Sequence, residues 1–303
     1  MPVQHLKIAE EDAGQRLDNY LLRILKGVPR SMIYRIVRSG EVRVNSGRVK
    51  VGYRLASGDT LRVPPVRTAG NDQAPVPKPT ASRLAAAIIY EDDGLLAINK
   101  PAGIAVHGGS GVAFGVVEAL RQHLANPRLE LVHRLDRDTS GVLLLAKKRS
   151  ALRDAQAQFR QRSVGKHYEL LVYGQWLEQH TVAQERLLRT TTSSGERRVR
   201  VDAAGQQART DFRLIQASTS ASRLSATLHT GRTHQIRVHV AVRGHPIIGD
   251  DKYDRSADQR PVAAGRMCLH ARKLVLRQND QALKLEVSPP PDFEQVWDQF
   301  HTA

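Results

Sequence analysis

The chain has 303 residues, 41% of them hydrophobic, and a formal net charge of +16. That length admits two domains and that hydrophobic fraction a sizeable core. The charge points to a polyanionic nucleic acid, because Lys and Arg neutralise phosphates and release their counterions, and no basic amphipathic anchor or lipidation signal competes with that reading. Residues 1–10 hold no apolar run of signal-peptide length, and no stretch approaches the roughly 18 apolar residues of a membrane span, so a cytoplasmic protein is expected. The single cysteine, Cys268, excludes an internal disulfide and a multi-thiolate zinc site, and reads as a small buried apolar residue.

In chain order, Leu17, Leu21, Ile24 and Leu25 recur at helical spacing until Gly27 and Pro29 end the run. Ser31 can cap a second helix, with Ile33, Ile36 and Val37 on its apolar side and Gly40 as its stop. Arg30, Arg35 and Arg38 fall mainly off that side. A solvated face explains such a run, but cations outnumber carboxylates in this head, which favours phosphate contact. Strands are predicted over 42–44 and 48–50 across an Asn45-Ser46-Gly47 turn, then over 60–63 after Gly58-Asp59. From 65 to 82 the chain is Pro-rich and aperiodic, and a linker is expected there. It divides a head of about 65 residues from a body, 83–303, of about 220, each large enough for a core of its own.

In the body, Leu95-Leu96-Ala97-Ile98, the run from Gly141 to Leu145, and Leu170-Leu171-Val172 read as buried strands. Leu152, Ala155 and Phe159 share one side of a helix after Lys148; Ile236 and Val240 mark another, ended by Gly244 and Pro246. The irregular spacing predicts an α+β body with a mixed, mostly antiparallel sheet flanked by helices. There is no solenoid repeat.

The densest polar cluster is VHRLDRDTSG at 132–141, directly before a hydrophobic strand, where rigid scaffolds commonly carry sites. Asp136 lies there two residues from Arg134 and beside Arg137; a salt-bridged turn explains the cluster equally well. TGRTHQIRVH at 230–239 opens a helix, where backbone N–H groups with Arg232 and Arg237 suit an anion or a carboxylate. His234 and His239 are five apart, off the i, i+4 spacing of a zinc pair, so no metal is expected. Tyr168 shares a strand face with Leu170 and Val172, a position usual for a core tyrosine. HGGSG at 107–111 lacks the Gly-Lys-Ser/Thr ending of a nucleotide loop and reads as a flexible turn near RNA.

Over 15–64 the head resembles the S4 RNA-binding domain, on RLDNYLLRIL, PRSMIYRIVRSGEVRVN and the Gly-Asp turn before LRVP. The body resembles the pseudouridine synthases of bacterial large-subunit ribosomal RNA. The matching runs are LAINKPAGIAVH at 96–107, LVHRLDRDTSGVLLLAK at 131–147, KHYELLVYG at 166–174, TGRTHQIRVHVAVRGHPIIGD at 230–250 and MCLHA at 267–271. HRLD with TSG is the most specific of them. The head, KGVPRSMIYRI and AVHGGSG bring the chain nearest to members acting on 23S rRNA. It departs from the family at Asp254, where Gly often follows the tyrosine, and at Arg277-Gln278-Asn279-Asp280, in place of a His-Pro turn. Both departures are expected to lie away from the catalytic residues.

The resemblance implies Asp136 as the catalytic carboxylate acting on the target ribose, and Arg237 as its ionic partner. It implies Tyr168 as the ring stacked on uracil and a candidate for removing the C5 proton. Arg134 would fill the space left by a nucleotide that leaves its stack at a cost of about a few kcal/mol. His133 and Arg232 join Arg134 as RNA contacts, with Arg30, Arg35 and Arg38 in the head. The implied isomerisation needs no cofactor and no metal. Its implied partner is 23S rRNA or pre-ribosomal large-subunit particles, met by a monomer away from membranes. A non-catalytic S4-type ribosome-assembly factor would leave the joint presence of Asp136, Tyr168 and Arg237 unexplained. A dual tRNA/rRNA synthase fits the S4-like head less well, and a metal-dependent nuclease lacks its carboxylate cluster.

Overall fold

A computed structural model describes residues 3–25, 27–66, 76–109, 112–192, 195–254 and 265–300. The chain forms two compact units, Met1–Pro75 and Val76–Ala303.

The first unit consists of β1 (Gln4–Lys7), α1 (Leu17–Ile24), α2 (Arg30–Arg38), β2 (Arg43–Val44), β3 (Gly47–Arg48) and β4 (Thr60–Val63), the strands ordered β1-β4-β2-β3. Leu17, Leu21, Ile33, Ile36 and Val37 enter one core with Val44, Leu61 and Val63. The β2–β3 hairpin turns through Asn45 and Ser46 at φ 50° and 66°, a primed turn that follows the strand twist. Two details differ from expectation. Pro29 rather than Ser31 precedes the first helical residue of α2, its fixed φ leading the chain in, while Ser31 is already helical. Strand β1, with Leu6 as its main apolar residue, pairs antiparallel with β4 although its sequence carries almost no alternation.

The second unit runs α3 (Lys78–Ala86), β5 (Ile88–Glu91), β6 (Leu95–Lys100), α4 (Val116–His123), β7 (Glu130–Leu131), β8 (Ser140–Ala146), α5 (Arg149–Gln161) and β9 (Gly165–Tyr173). It continues through β10 (His180–Ala183), β11 (Arg186–Thr191), β12 (Arg197–Val201), β13 (Gln206–Gln207), β14 (Thr210–Ala217), β15 (Ala221–Leu228), α6 (Gln235–Ala241), β16 (Leu269–Gln278), β17 (Gln281–Glu286) and α7 (Pro291–Asp298). Of the expected linker, 67–75 lies outside the described residues, and its last part is helical instead. Pro79 sits in the first turn of α3, where no N–H is needed, and Ala81 and Leu84 are buried in the second unit's core.

The large sheet is ordered β10-β14-β15-β9-β16-β8-β6-β5, with β17 on β16 and β7 on β8; β11, β12 and β13 form a smaller sheet. Every pairing in the large sheet is antiparallel except β8 with β16, so the fold is α+β with a mixed, mostly antiparallel sheet. Strand β8 is buried throughout: Leu143 and Leu145 face one core, Val142 and Leu144 another, as a period of two requires. Its parallel junction with β16 spans only Ser140 opposite His270 and Gly141 opposite Ala271. A Cβ on Gly141, at φ 112°, would stand 2.2 Å from the Ala271 carbonyl oxygen, so this close approach demands glycine. Arg266 donates to Ser140 Oγ at 2.6 Å, and Ser140 Oγ bonds His270 Nδ1 at 2.8 Å. The loop that precedes β8 is thereby anchored at the middle of the sheet.

Candidate active site

Asp136 lies in the loop between β7 and β8. Leu135 beside it is buried in the core, and the Thr139 N–H donates to the Asp136 carbonyl at 3.2 Å. From the end of β6 the fully buried Lys100 braces the same loop. Its Nζ donates to the carbonyls of Pro101, Ile104 and Arg137 at 2.8, 2.9 and 2.9 Å, three acceptors for three N–H donors. Burial pushes this ammonium down to about 7, against the pull of Asp138 and Asp136.

Arg237, 7% exposed on α6, faces two carboxylates unequally. Its Nε and Nη2 form a fork on Asp250, each donating at 2.7 Å, while Nη1 reaches Asp136 Oδ2 at 3.4 Å. The Asp250 side chain is completely buried; that of Asp136 is 22% exposed. One carboxylate therefore fixes the guanidinium, and the guanidinium aims at the other. Burial is the largest influence and opposes the cation, yet Asp250, Asp136 and Tyr253 together hold Arg237 above its ordinary range. Asp250 is set in place by Gly249, at φ 79°, where a Cβ would stand 1.9 Å from the Arg266 carbonyl oxygen.

Tyr253, three residues further on, lies against the Arg237 guanidinium at 5.1 Å. Its hydroxyl accepts from the Val199 N–H at 3.1 Å and bonds His234 Nδ1 at 2.7 Å. The hydroxyl proton is assigned to Nδ1, which leaves the imidazole proton on Nε2, 3.9 Å from Asp136 Oδ2. Burial lowers His234 to about 4, so the ring is neutral at pH 7. Tyr253 therefore belongs to the site, whereas the departure at Asp254 touches it through its backbone N–H, which donates to the Asp250 carbonyl at 3.0 Å.

Tyr168, on β9, packs between two cores. Burial, and then the Asp136 charge, hold its phenol above the ordinary range, so it keeps its proton and offers a ring face. That weighs against Tyr168 as a base in the unliganded protein.

Asp136 stands where two cavities meet, of about 720 Å³ and about 480 Å³, both also lined by Arg134, His234 and Arg237. Tyr168 and Arg232 line the smaller; Arg266 and Lys252 line the larger. Arg134 is exposed, and Arg232 donates from Nε to the Gln207 carbonyl at 3.0 Å.

His133 also lines the smaller cavity, and the fold holds its ring. Its Nε2 accepts the Leu144 N–H at 3.1 Å, its ring stacks on Phe159 with centroids 5.0 Å apart, and burial lowers it to about 4. It braces the loop, and its ring is neutral at pH 7 where it lines the cavity. Arg137 pairs with Asp138 at 3.1 Å, a salt bridge within the turn. Cys268 is buried, its thiol pushed up to about 12 by that burial. In the loop at 107–111, Gly108 donates its N–H to Glu118 at 3.0 Å; residues 110 and 111 lie outside the described residues. Arg30, Arg35 and Arg38 are exposed on α2 of the first unit.

Sequence reasoning assigned no role to Asp250, His234, Tyr253 or Lys100, although all but Tyr253 lie inside the runs that carried the resemblance. The Gly-Asp pair at 249–250 was the available signal for Asp250.

A carboxylate aimed by a buried arginine, beside a tyrosine ring and under a rim of cations, suits chemistry on the sugar of a polyanionic nucleic acid. The class these features define is an RNA-modifying enzyme. Residues 94–242 match the model of RNA pseudouridylate synthase, and residues 15–61 that of the S4 domain. The chain is 54% identical over 276 residues to ribosomal large subunit pseudouridine synthase C of Haemophilus influenzae, covering 89% of this chain and 85% of that one. To the Escherichia coli protein of the same name it is 48% identical over 299 residues, covering 96% and 93%. Human RNA pseudouridylate synthase domain containing 4 superposes with TM-score 0.62 at 25% identity, over 74% of this chain and 96% of that one. The chain belongs to the RNA pseudouridine synthase family, which are isomerases. Among the described residues no helix is long and apolar enough to cross a membrane.

Proposed function

We propose that this chain isomerises selected uridines of 23S rRNA to pseudouridine, acting as a cytoplasmic monomer on the rRNA or on pre-ribosomal large-subunit particles. The convergence of Asp136, Arg237 and Tyr168 in one cation-rimmed groove carries the reading. Relatives that match nearly the whole chain and are named for the large subunit support the substrate, in preference to a dual tRNA/rRNA role.

In this reading the target nucleotide leaves its stack, Arg134 occupies the gap, and the uracil lies on the Tyr168 ring. Asp136, aimed by Arg237, acts at the ribose, either adding to C1′ or taking the C2′ proton. The C1′–N1 bond breaks, the uracil turns within the groove, and a C1′–C5 bond forms. The C5 proton leaves and N1 gains one, so the reaction balances with no external reagent.

Asp136→Asn keeps the size and most hydrogen bonding of the side chain but removes its charge. It should lower tritium release from 5-labelled uridine in 23S rRNA by roughly 10²–10⁴-fold or more, with RNA affinity near wild type. Turnover by this variant close to that of the wild type would remove Asp136 from the chemistry.

A further inference from the structure

Lys166 has a setting that the proposed chemistry does not explain. It sits on β9 only 8% exposed, and it lines the groove that also holds Asp136. Among the described residues no carboxylate pairs with it. Burial lowers its affinity for a proton, and Arg162 lowers it further, with no opposing attraction. Lys166 in turn presses on His133.

A cation left unpaired in a largely buried position costs stability unless something else neutralises it. Its surroundings add positive charge instead. Arg160, in the last turn of α5, and Arg162, just past the end of that helix at φ 61°, line the same groove, as does Arg189 from β11. None of these three is in an ion pair among the described residues. Asp136 is the one carboxylate in the described lining, and Arg237 already faces it. The groove thus has room for a second anion beside Asp136.

The spacing indicates which anion. Lys166 and Tyr168 are two residues apart on one face of β9, about 6–7 Å along the strand. A nucleotide whose base lies on Tyr168 brings the phosphodiester of its neighbour to that distance. We propose that Lys166, with Arg160 and Arg162, forms a binding site for a backbone phosphate flanking the target uridine. This site rests on the reading of Asp136 and Tyr168 given above, and it positions the strand without touching the reacting atoms.

The experiment compares Lys166→Gln, Lys166→Met and Lys166→Arg in the full chain, on 23S rRNA fragments, by salt-dependent binding and by tritium release. Removing the charge should flatten the log–log salt slope of binding by about one unit and raise KM by several-fold more than it lowers kcat. Lys166→Arg should recover most of both. Because the ammonium has no carboxylate partner among the described residues, the melting temperature of Lys166→Met should equal or exceed that of the wild type; a drop would assign Lys166 a structural role and overturn the site. An unchanged salt slope, or a loss confined to kcat, would overturn it as well. If the wild type released no tritium, the functional reading would fail while the salt slopes still decided the phosphate site.

Discussion

Arg237 in the body and Arg30, Arg35 and Arg38 in the head put the same guanidinium to opposite uses. Arg237 is 7% exposed and commits its nitrogens to two carboxylates. The head arginines are exposed on α2, where Arg30 and Arg38 lie over the Tyr34 ring at 5.7 and 5.9 Å. A buried, forked arginine fixes a direction, and its energy is present before any RNA arrives. An exposed one contributes little until a phosphate approaches, and salt screens what it contributes. Geometry is kept in the first region and long-range attraction in the second.

Breaking the buried region should give the largest effect. Removing one partner of a buried pair costs about 3–5 kcal/mol, because the other is left charged and unpaired. At about 2–4 °C per kcal/mol for a unit of this size, Arg237→Met and Asp250→Asn should each melt about 10 °C below the wild type. Both should also lose most tritium release, since Asp136 loses its orientation, although Asp250→Asn leaves Asp136 and Arg237 in place. Arg232→Met, whose Nε bonds only the Gln207 carbonyl, should melt near the wild type and show its loss in binding. Equal and mild losses in all three would dissolve the distinction between the fixed arginine and its neighbours.

Acid should sharpen the contrast by a smaller amount. In the body, His133, His234, His239 and His270 are each held down to about 4 by burial. In the unfolded chain they titrate near about 6.5, so between those values the unfolded chain binds more protons than the folded one. Stability therefore falls as the pH drops from about 6.5 toward 4, by about 1.4 kcal/mol per unit for each such group. All four of these imidazoles lie in the body. Urea unfolding from pH 7 to 4.5 should show that slope, and His270→Asn should make it shallower by about one proton. A wild type equally stable at pH 6.5 and 5 would mean that these imidazoles accept protons without unfolding.

What could be read from sequence follows the range of the interactions involved. Periodicity displayed β8, α5 and the two head helices because each buries its own repeating face. It missed β1, which has four residues and little alternation, and α3, which opens on a proline that resembles a linker. Asp136, Tyr168 and Arg237 stood out through the runs around them. Asp250 did not, because it is 13 positions from Arg237, past the end of α6 and a turn that only the fold brings back. His133 and Arg134 both line the smaller cavity, but only the fold shows that the His133 ring is also held by Leu144 and Phe159. Lys166 was visible as a residue, but that no described carboxylate pairs with it appears only when everything around it is in place.

The smallest effect on chemistry should come from the head. Replacing Arg30, Arg35 and Arg38 together by Gln removes three exposed charges and touches none of the core residues Ile33, Ile36 and Val37, so the first unit should keep its fold. If each arginine meets a phosphate, the log–log salt slope of rRNA binding should flatten by about 2–3 units, from a slope of roughly 0.7–0.9 per contact. KM should rise most at physiological salt and least at low salt, and kcat at saturating RNA should move far less than KM, because the reacting groups lie in the second unit. Arg237→Met should show the reverse, a loss of kcat with the salt slope nearly kept, since its charge is already spent on Asp250 and Asp136. Should the triple variant instead retain the wild-type slope, the α2 arginines would be a solvated face packed on Tyr34, and the attraction for RNA would have to come from the groove cations of the body alone.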